Sequence, residues 1–180
     1  MLRHAYRTLA HDVRAGAFVT PATEWFLDNF HLISSEIIEV REHLPRNYYD
    51  ELPPLAGRHA GEARIYAIAV ELLRHSDSRL ELAQLQRFLN SYQRVAPLTI
   101  GELWAWPSML RLALIENLRR LADEILDSRS ARREADTIVS RIDEGPQDGV
   151  IAIAADAHDA YIVQMLHRAR ATDAWLVACR

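Results

Sequence analysis

The chain has 180 residues, 49% of them hydrophobic and 26% charged, and its formal net charge is −4. A chain of this size and apolar content can bury a core, either as one domain or as two small domains that share an interface. Its modest charge argues against a disordered chain and against a nucleic-acid-binding protein. All 21 basic residues are arginines, which we attribute mainly to the base composition of a GC-rich genome.

The sequence also bears on export and membrane insertion. The start, Met1 to Arg7, lacks the apolar segment of a signal peptide, and no apolar stretch approaches the ~20 residues that span a bilayer. The single Cys179 excludes a disulfide within the chain and fits a reducing compartment. We therefore predict a soluble chain without a transmembrane segment.

Residues 21–44 predict one amphipathic helix, because their apolar side chains recur at four-three spacing. These residues are Phe26, Phe30, Ile33, Ile37, Val40 and Leu44. Thr20 is the predicted N-cap, with Pro21 at the first helical position, where a missing N–H costs little. Pro45 cannot continue the helix and is predicted to end it.

The next segments predict a connector and two capped helices. Residues 45–61 hold three prolines and two glycines and predict an ordered connector, and residues 62–75 predict a helix. Two pairs, Ser78 with Glu81 and Thr99 with Glu102, have the spacing of a capping box, in which each side chain satisfies the other residue's backbone N–H.

Pro107 leaves two alternatives open. Either a short helix over 100–106 ends and a new helix begins with Pro107 in its first turn, or one long helix kinks there. We favour the break, because the chain beyond Pro107 is a strong helix in its own right. Its predicted main apolar stripe is Leu110, Leu114, Leu118, Leu121 and Ile125. Glu116 and Arg120, four residues apart, predict a weak surface ion pair.

The last third of the chain predicts a helix from about Ser130 to Ile142, a turn at 144–149 and a final helix over about 150–171. The β-branched run at 150–153 could form a short strand, but one strand without a partner is not stable. The predicted fold is therefore all-α: an irregular antiparallel helical bundle of about six to eight helices in a single domain over 1–180.

One cluster of residues raises the possibility of a metal site. Glu24, Asp28 and His31 lie at spacings of four and three, so their side chains can converge on one helix face. Di-metal bundles need matching sets on facing helices, and none appears in the sequence. We favour a polar face with an Asp–His contact and predict no metal.

The aromatic residues raise the possibility of a carbohydrate site. Tyr48, Tyr49, Tyr92, Trp104 and Trp106 have flat rings that could stack on sugars, but such large side chains are also commonly buried with one polar partner. Trp104 and Trp106 differ by two positions, so on a helix they point in different directions. Tyr48, Tyr49 and Trp104 are our candidates for contact with a glucan or a partner protein.

The motifs of common catalytic sites are missing from the sequence. It has no Gly-rich phosphate loop, no zinc-binding spacing of Cys and His, and no serine nucleophile elbow. We predict no catalytic residue and no cofactor.

Two stretches of the chain resemble the cyclic β-1,2-glucan synthases, which are large bacterial membrane glycosyltransferases. The first runs from Pro97 to Leu121 and includes the letters PLTIGELWAWP. The second runs from Thr20 to Ile33 and continues in the letters LPRNYYDELP from Leu44 to Pro53. The resemblance covers residues 1–127 well and 128–167 weakly, and the tail at 168–180 diverges.

This resemblance implies an N-terminal region of such a synthase, on the cytoplasmic side of the inner membrane and ahead of the transferase and phosphorylase-like domains. Whole members polymerise glucose from UDP-glucose and cyclise the product. The Asp-x-Asp and Gln-x-x-Arg-Trp motifs of processive glycosyltransferases do not occur in this chain. We therefore expect the chain alone to be non-catalytic.

Two functions follow. The first is a helical accessory domain that supports glucosyl transfer and has the transferase domain, or β-1,2-glucan itself, as its partner. The alternative is a stand-alone, non-catalytic helical scaffold or protein-interaction module. Because the similarity is lost within a helix, we also hypothesise a truncated or frame-shifted synthase remnant, or a segment that ends at a chosen boundary.

Overall fold

The structure is a computed structural model that describes residues 1–76, 80–143 and 157–171. Its regular elements are α-helices and one short 3-10 helix at Gly57–His59. The α-helices are α1 (Leu2–Arg14), α2 (Pro21–Asp28), α3 (Phe30–His43), α4 (Arg46–Asp50), α5 (Arg64–His75), α6 (Leu82–Gln93), α7 (Ile100–Asp143) and α8 (Asp159–Ala171). The predicted all-α class is confirmed.

The chain divides into two compact units. The larger unit is Tyr6–Arg120, and the smaller unit combines Met1–Ala5 with Leu121–Arg180. The prediction of one domain over 1–180 stays a prediction. The predicted capping box at Ser78, the turn at 144–149 and the run at 150–153 lie outside the described residues.

Helix α2 begins as predicted, but the single helix expected over 21–44 is wrong. Thr20 is the N-cap, and its Oγ1 accepts a hydrogen bond from the backbone N of Thr23 at 3.2 Å. The helix is interrupted at Asn29, whose Nδ2 donates to the carbonyl of Trp25 at 2.8 Å. Short amide side chains compete in this way with the regular helical ladder. The chain then resumes as α3, which ends ahead of Leu44 and Pro45 as predicted.

The apolar stripe predicted along α2 and α3 faces the interior in part. Phe26, Ile33 and Val40 are buried. Phe30 is half-buried and stacks on Tyr6, with ring centroids 4.2 Å apart and planes inclined by 21°. Stacked aromatic pairs of this kind add to the stabilisation that burial provides.

The core of the larger unit is built mainly by α5, α7 and the connector between α4 and α5. Its buried residues are Leu52, Ala63, Ile65, Ile68, Ala69, Leu73, Leu98, Ala105, Trp106, Met109, Leu110 and Ala113. Half-buried rings and leucines of α4 and α6 pack against this cluster, among them Tyr48, Tyr49, Leu85, Phe88, Leu89 and Tyr92.

The connector predicted at 45–61 is ordered and also contains α4 and the 3-10 helix. Its ends are paired by backbone hydrogen bonds: Leu55 N donates to Glu62 O at 2.8 Å, and Arg64 N donates to Pro53 O at 2.8 Å. These bonds fix the start of α5 beside the segment that follows α4, and so they position Arg64.

Helix α7 passes through Pro107 without a break, so the preferred interpretation of two separate helices is wrong. A proline inside a helix removes one hydrogen bond and crowds the preceding turn, at a cost of about 3 kcal/mol. Here Ala105 and Trp106 before it, and Ser108 and Met109 after it, are all buried. Packing on both sides of Pro107 therefore offsets that cost. The separate helix predicted from Ser130 is likewise part of α7.

The predicted leucine stripe of α7 is buried only in its first part. Leu110 is buried and Leu114 packs against the core, whereas Leu121 is 44% exposed. A second buried line runs through Ala105, Met109 and Ala113 at spacings of four. The small side chains of Ala105 and Ala113 and the flexible side chain of Met109 allow neighbouring elements to approach α7 closely. The carboxylate of Glu116 binds Arg119 at 2.6 Å, in place of the pair with Arg120 predicted from spacing.

The described part of the smaller unit packs α8 against the second half of α7. Ala131, Ala135 and Tyr161 form its buried cluster. Gln164 Nε2 donates to Asp136 Oδ1 at 2.9 Å across the two helices. No described helix is both long and apolar enough to cross a membrane.

Candidate functional site at the junction of α4, α5 and α7

Tyr48 links α4 to the first turn of α7 through a hydrogen bond. Its hydroxyl donates a hydrogen bond to the carbonyl of Gly101 at 2.6 Å, and its half-buried ring packs against the core. Tyr49, next in the chain, accepts a hydrogen bond from the backbone N of Ala63 at 3.3 Å. Both hydroxyls therefore have backbone partners, and the two tyrosines join elements that are distant in sequence.

Trp104 is placed very differently from these tyrosines. It is 80% exposed, whereas Trp106, two residues later, is 8% exposed. This contrast confirms that the two indoles point in different directions. Of the candidates Tyr48, Tyr49 and Trp104, only Trp104 presents its ring broadly to solvent.

Trp104 belongs to an exposed apolar face on the first two turns of α7. Ile100, Leu103, Trp104 and Pro107 lie at spacings of three and four, which align them along one side of the helix, and all four are exposed. Ile100 is 74% exposed. We refer to these four residues as the Trp104 face.

A buried ion pair supports the opposite side of the same turns. Glu102 is 0% exposed, and its two carboxylate oxygens accept hydrogen bonds from Arg64 Nε at 2.8 Å and Arg64 Nη2 at 2.6 Å. Thr99 completes the predicted capping box: its N donates to Glu102 Oε2 at 2.8 Å, and its Oγ1 accepts from Glu102 N at 3.2 Å. Arg64 Nη2 also donates to the carbonyl of Pro97 at 3.1 Å.

The electrostatics of this pair follow from its contacts. Burial by itself raises the pKa of the Glu102 carboxyl, but the hydrogen bonds from Arg64 and Thr99 outweigh burial, so the net pKa lies below its ordinary value. The hydrogen bond to Glu102 raises the pKa of the Arg64 guanidinium, against the opposing effect of burial. The pair is thus ionised at neutral pH and joins α5 to the start of α7.

The sequence indicated Glu102 as a capping residue but did not reveal Arg64 as its partner. Arg64 lies just after a connector rich in proline and glycine, and nothing in the neighbouring residues indicates its partner. Glu102 is 38 residues away in the sequence. The fully hydrogen-bonded carboxylate is a structural link between helices.

The cluster considered as a metal site in the sequence is a local backbone contact. His31 Nδ1 lies 3.1 Å from the backbone carbonyl of Asp28. Within residues 1–76, 80–143 and 157–171, no three His, Cys, Asp or Glu side chains are grouped as metal ligands.

A serine–histidine pair in the smaller unit also lacks the arrangement of a nucleophile and its base. Ser128 Oγ lies 3.5 Å from His158 Nε2, while His158 Nδ1 accepts a hydrogen bond from the backbone N of Ala160 at 3.1 Å. In a neutral imidazole, an accepting Nδ1 leaves the proton on Nε2. The nitrogen that faces Ser128 is therefore a donor and does not deprotonate the serine.

Together, the described residues define an all-α protein in which the exposed Trp104 face lies on the opposite side of α7 from a buried ion pair. No protein-family model matches the chain. In an alignment of 173 positions that covers 92% of the chain, it is 39% identical to the cyclic beta-(1,2)-glucan synthase NdvB of Rhizobium meliloti (strain 1021).

The resemblance found in the sequence is thereby confirmed, and the chain is homologous to a segment of a cyclic β-1,2-glucan synthase. The chain spans only 6% of the length of that relative. Because so little of the chain is left outside the alignment, the similarity extends over parts of both compact units.

Proposed function

We propose that this chain is a helical accessory segment of a cyclic β-1,2-glucan synthase, which supports glucosyl transfer from UDP-glucose by other domains of the synthase. The observation that supports the proposal is the 39% identity to NdvB over 92% of the chain. In this role the segment acts at the cytoplasmic face of the inner membrane, where its transferase partner takes up UDP-glucose.

Within this role, the Trp104 face is the contact surface for the transferase polypeptide. Exposing the side chains of Ile100, Leu103 and Trp104 to water is unfavourable, at roughly 25 cal/mol for each Å² of apolar surface. Contiguous exposed apolar residues mark interaction surfaces more often than single ones do. An exposed indole is also the kind of side chain that contributes most to protein interfaces.

Tyr48 and Tyr49 have a supporting part in this proposal. Since the Tyr48 hydroxyl holds the carbonyl of Gly101, it fixes the turn from which Trp104 projects. The Arg64–Glu102 pair holds the same turn from the buried side. The contact surface is therefore rigid before its partner arrives, which lowers the entropy lost on binding.

The test places Trp104→Ala in a complete synthase that contains this segment. We expect glucan formation from UDP-glucose to fall about tenfold or more, since a central tryptophan in an interface typically contributes ~2 kcal/mol or more to binding. The matched control is Trp25→Ala, which removes a 53% exposed tryptophan from α2 in the same unit. This variant is expected to keep full activity.

Thermal unfolding of the 180-residue chain should be nearly unchanged by Trp104→Ala, because the ring is exposed. Full activity of the Trp104→Ala synthase, with normal association of its domains, would contradict the proposed surface. Such a result would favour the alternative of a non-catalytic scaffold or interaction module.

A further inference from the structure

Helix α1 carries a row of basic side chains on its exposed side. The row consists of Arg3, His4, Arg7, His11 and Arg14, and all five are exposed. At 3.6 residues per turn, these positions fall within about 100° of the helix circumference. We refer to these five residues as the α1 basic face.

The opposite side of α1 is buried, which sets the direction of the basic face. Leu2, Ala5 and Leu9 recur at spacings of three and four and are all buried. Asp12 is the acidic residue of α1, and it lies on this buried side with 6% exposure. Its carboxylate is 3.8 Å from His11. The exposed side of α1 therefore presents basic side chains without an acidic one among them.

The three arginines of the α1 basic face have no counter-charge in the described protein. Within the part of the chain that the structure describes, Arg3, Arg7 and Arg14 make no ion pair and no side-chain hydrogen bond. Elsewhere, Arg74 and Arg111 bind carboxylates. Like charges on one helix face repel one another, and here they lie along about 16 Å of the helix. An anionic partner would relieve this repulsion.

The turn that ends α1 is followed at once by an exposed aromatic ring. Gly16 has a φ of 71°, its N donates to Val13 O at 3.1 Å, and Ala17 N donates to Asp12 O at 3.0 Å. These two bonds form a Schellman motif, which fixes the chain as it leaves the helix. Phe18 adjoins this motif and is 81% exposed. An apolar ring therefore lies near the C-terminal end of α1.

The distribution of charge favours a planar anionic partner. The whole chain has a net charge of −4, so a flat surface that contacts only the basic side avoids the repulsion that the rest of the chain would meet. The arginines form a row and do not converge on one point, so they match many separate phosphate groups better than a single bound phosphate. Basic side chains together with an exposed apolar ring are the two features that hold a protein at an anionic membrane surface.

We propose that the α1 basic face binds the surface of a bilayer that contains anionic phospholipid. The guanidinium groups of Arg3, Arg7 and Arg14 contact headgroup phosphates, and the ring of Phe18 enters the boundary between headgroups and acyl chains. The apolar side of α1 stays buried in the protein, so the contact is with one surface of the bilayer. This inference is drawn from the charge and exposure of α1 and goes beyond the proposed accessory role.

The test is co-sedimentation of the complete 180-residue chain with vesicles of phosphatidylcholine alone and of phosphatidylcholine mixed with phosphatidylglycerol. Binding is expected for the mixed vesicles only, and it should weaken as salt is added, because salt screens the attraction. The double variant Arg7→Gln/Arg14→Gln should lower the partition coefficient about 25-fold, since each arginine near an anionic surface contributes about fivefold. Phe18→Ala should lower it about fivefold, because apolar area no longer leaves water.

The matched control is the double variant Arg87→Gln/Arg94→Gln. These two arginines are also exposed and seven positions apart, and they lie at α6 in the larger unit. The control therefore has the same net charge as Arg7→Gln/Arg14→Gln, and it should bind the mixed vesicles as the unchanged chain does. Exposed substitutions of this kind are expected to preserve folding, which circular dichroism verifies.

Three results would overturn the proposal. Equal losses in the two double variants would show that net charge, and not the α1 basic face, governs binding. Absence of binding to the mixed vesicles at low salt, or equal binding to phosphatidylcholine alone, would exclude an anionic lipid surface as the partner. Tighter binding of duplex DNA through Arg7 and Arg14, without an effect of Phe18→Ala, would assign the face to a nucleic acid.

The outcome is separable from that of the proposed accessory role. Trp104→Ala should leave vesicle binding unchanged, while it lowers synthase activity. Arg7→Gln/Arg14→Gln should weaken vesicle binding whether or not the Trp104 face contacts the transferase.

Discussion

The described core clusters of the two compact units differ in how many large apolar side chains they bury. The larger unit surrounds α7 with long aliphatic and aromatic residues, and Met109 and Ile65 are fully buried there. In the described part of the smaller unit, the cluster between α7 and α8 consists of Ala131, Ala135 and Tyr161, and Val139 of α7 is also buried. Helix α7 therefore packs mainly against large side chains in the larger unit and through alanines against α8 in the smaller unit.

This difference separates two properties of a core: the apolar area that is removed from water and the distance to which two helices can approach. Large side chains remove much apolar surface from water and give the larger unit its stability. Alanines remove little, but they let two helices approach closely. We therefore expect the larger unit to be sensitive to the loss of side-chain atoms and the smaller unit to be sensitive to their gain.

The largest effect should come from Arg64→Met in the larger unit. The substitution leaves the Glu102 carboxylate at 0% exposure without its counter-charge. Breaking a buried pair from one side costs about 3–5 kcal/mol. Urea denaturation measures the change in the free energy of unfolding, and hydrogen exchange locates it in the larger unit.

Glu102→Gln is the matched control for Arg64→Met, because it removes the negative charge and leaves Arg64, which is partly exposed, with its hydrogen bond to Pro97. We expect this variant to lose less stability than Arg64→Met, and the double variant to recover part of the loss. Equal losses in both single variants would show that the buried charge is not the cause.

The second-largest effect is expected from Met109→Ala, which tests the core of the larger unit. Met109→Ala removes a fully buried side chain from the larger unit, and such truncations cost about 2–5 kcal/mol. Thermal denaturation should show a large drop in Tm. If Met109→Ala lowered the Tm no more than truncation of an exposed leucine to alanine does, the core of this unit would not be its source of stability.

The reverse substitution tests the smaller unit. Ala135→Leu adds bulk at a position with 0% exposure in the seam between α7 and α8, and overpacking of this kind costs about 1–3 kcal/mol. Hydrogen exchange in α8 should rise, while exchange in α5 stays unchanged. Ala135→Gly is the companion variant and should cost less, about 1 kcal/mol.

A smaller effect is expected from Asp136→Asn in the same seam. Asp136 is about half exposed, accepts from Gln164 and lies 3.4 Å from Arg168. Exposed pairs contribute at most about 1 kcal/mol. A loss above that value, measured by urea denaturation, would mean that polar contacts rather than alanine packing hold this unit together.

Acid should act on the larger unit gradually. Because the pKa of Glu102 in the folded state is lowered from its ordinary value of 4.5, the carboxylate contributes stability above that pH. This contribution is lost as the pH falls from about 4.5 through the folded-state pKa. The Glu102→Gln variant should lack this part of the pH dependence, which urea denaturation at several pH values measures.

Features set by neighbouring residues could be predicted from the sequence. The Thr20 cap and the Thr99–Glu102 capping box depend on residues three positions apart, and both are confirmed. The ends of predicted helices at proline and glycine clusters rest on the same local chemistry. The all-α class followed from these signals and from apolar periodicity.

Features set by distant packing could not be predicted. The helix continues through Pro107 because buried residues on both sides compensate for it. Periodicity predicted a leucine stripe on α7 from Leu110 to Ile125, but Leu121 in that stripe is 44% exposed, and a line through Ala105, Met109 and Ala113 is buried as well. The exposure of Trp104 and the partner of Glu102 likewise depend on which helices are adjacent.

Pro107 also has a chemical consequence for the surface it occupies. It lacks an amide hydrogen, so the carbonyl oxygen of Leu103, one turn earlier, is denied its usual helical donor. That oxygen belongs to the residue beside the exposed indole of Trp104. The Trp104 face thus combines an apolar ring with a backbone hydrogen-bond acceptor, so the proposed partner would fit it best with an apolar surface that also carries a hydrogen-bond donor.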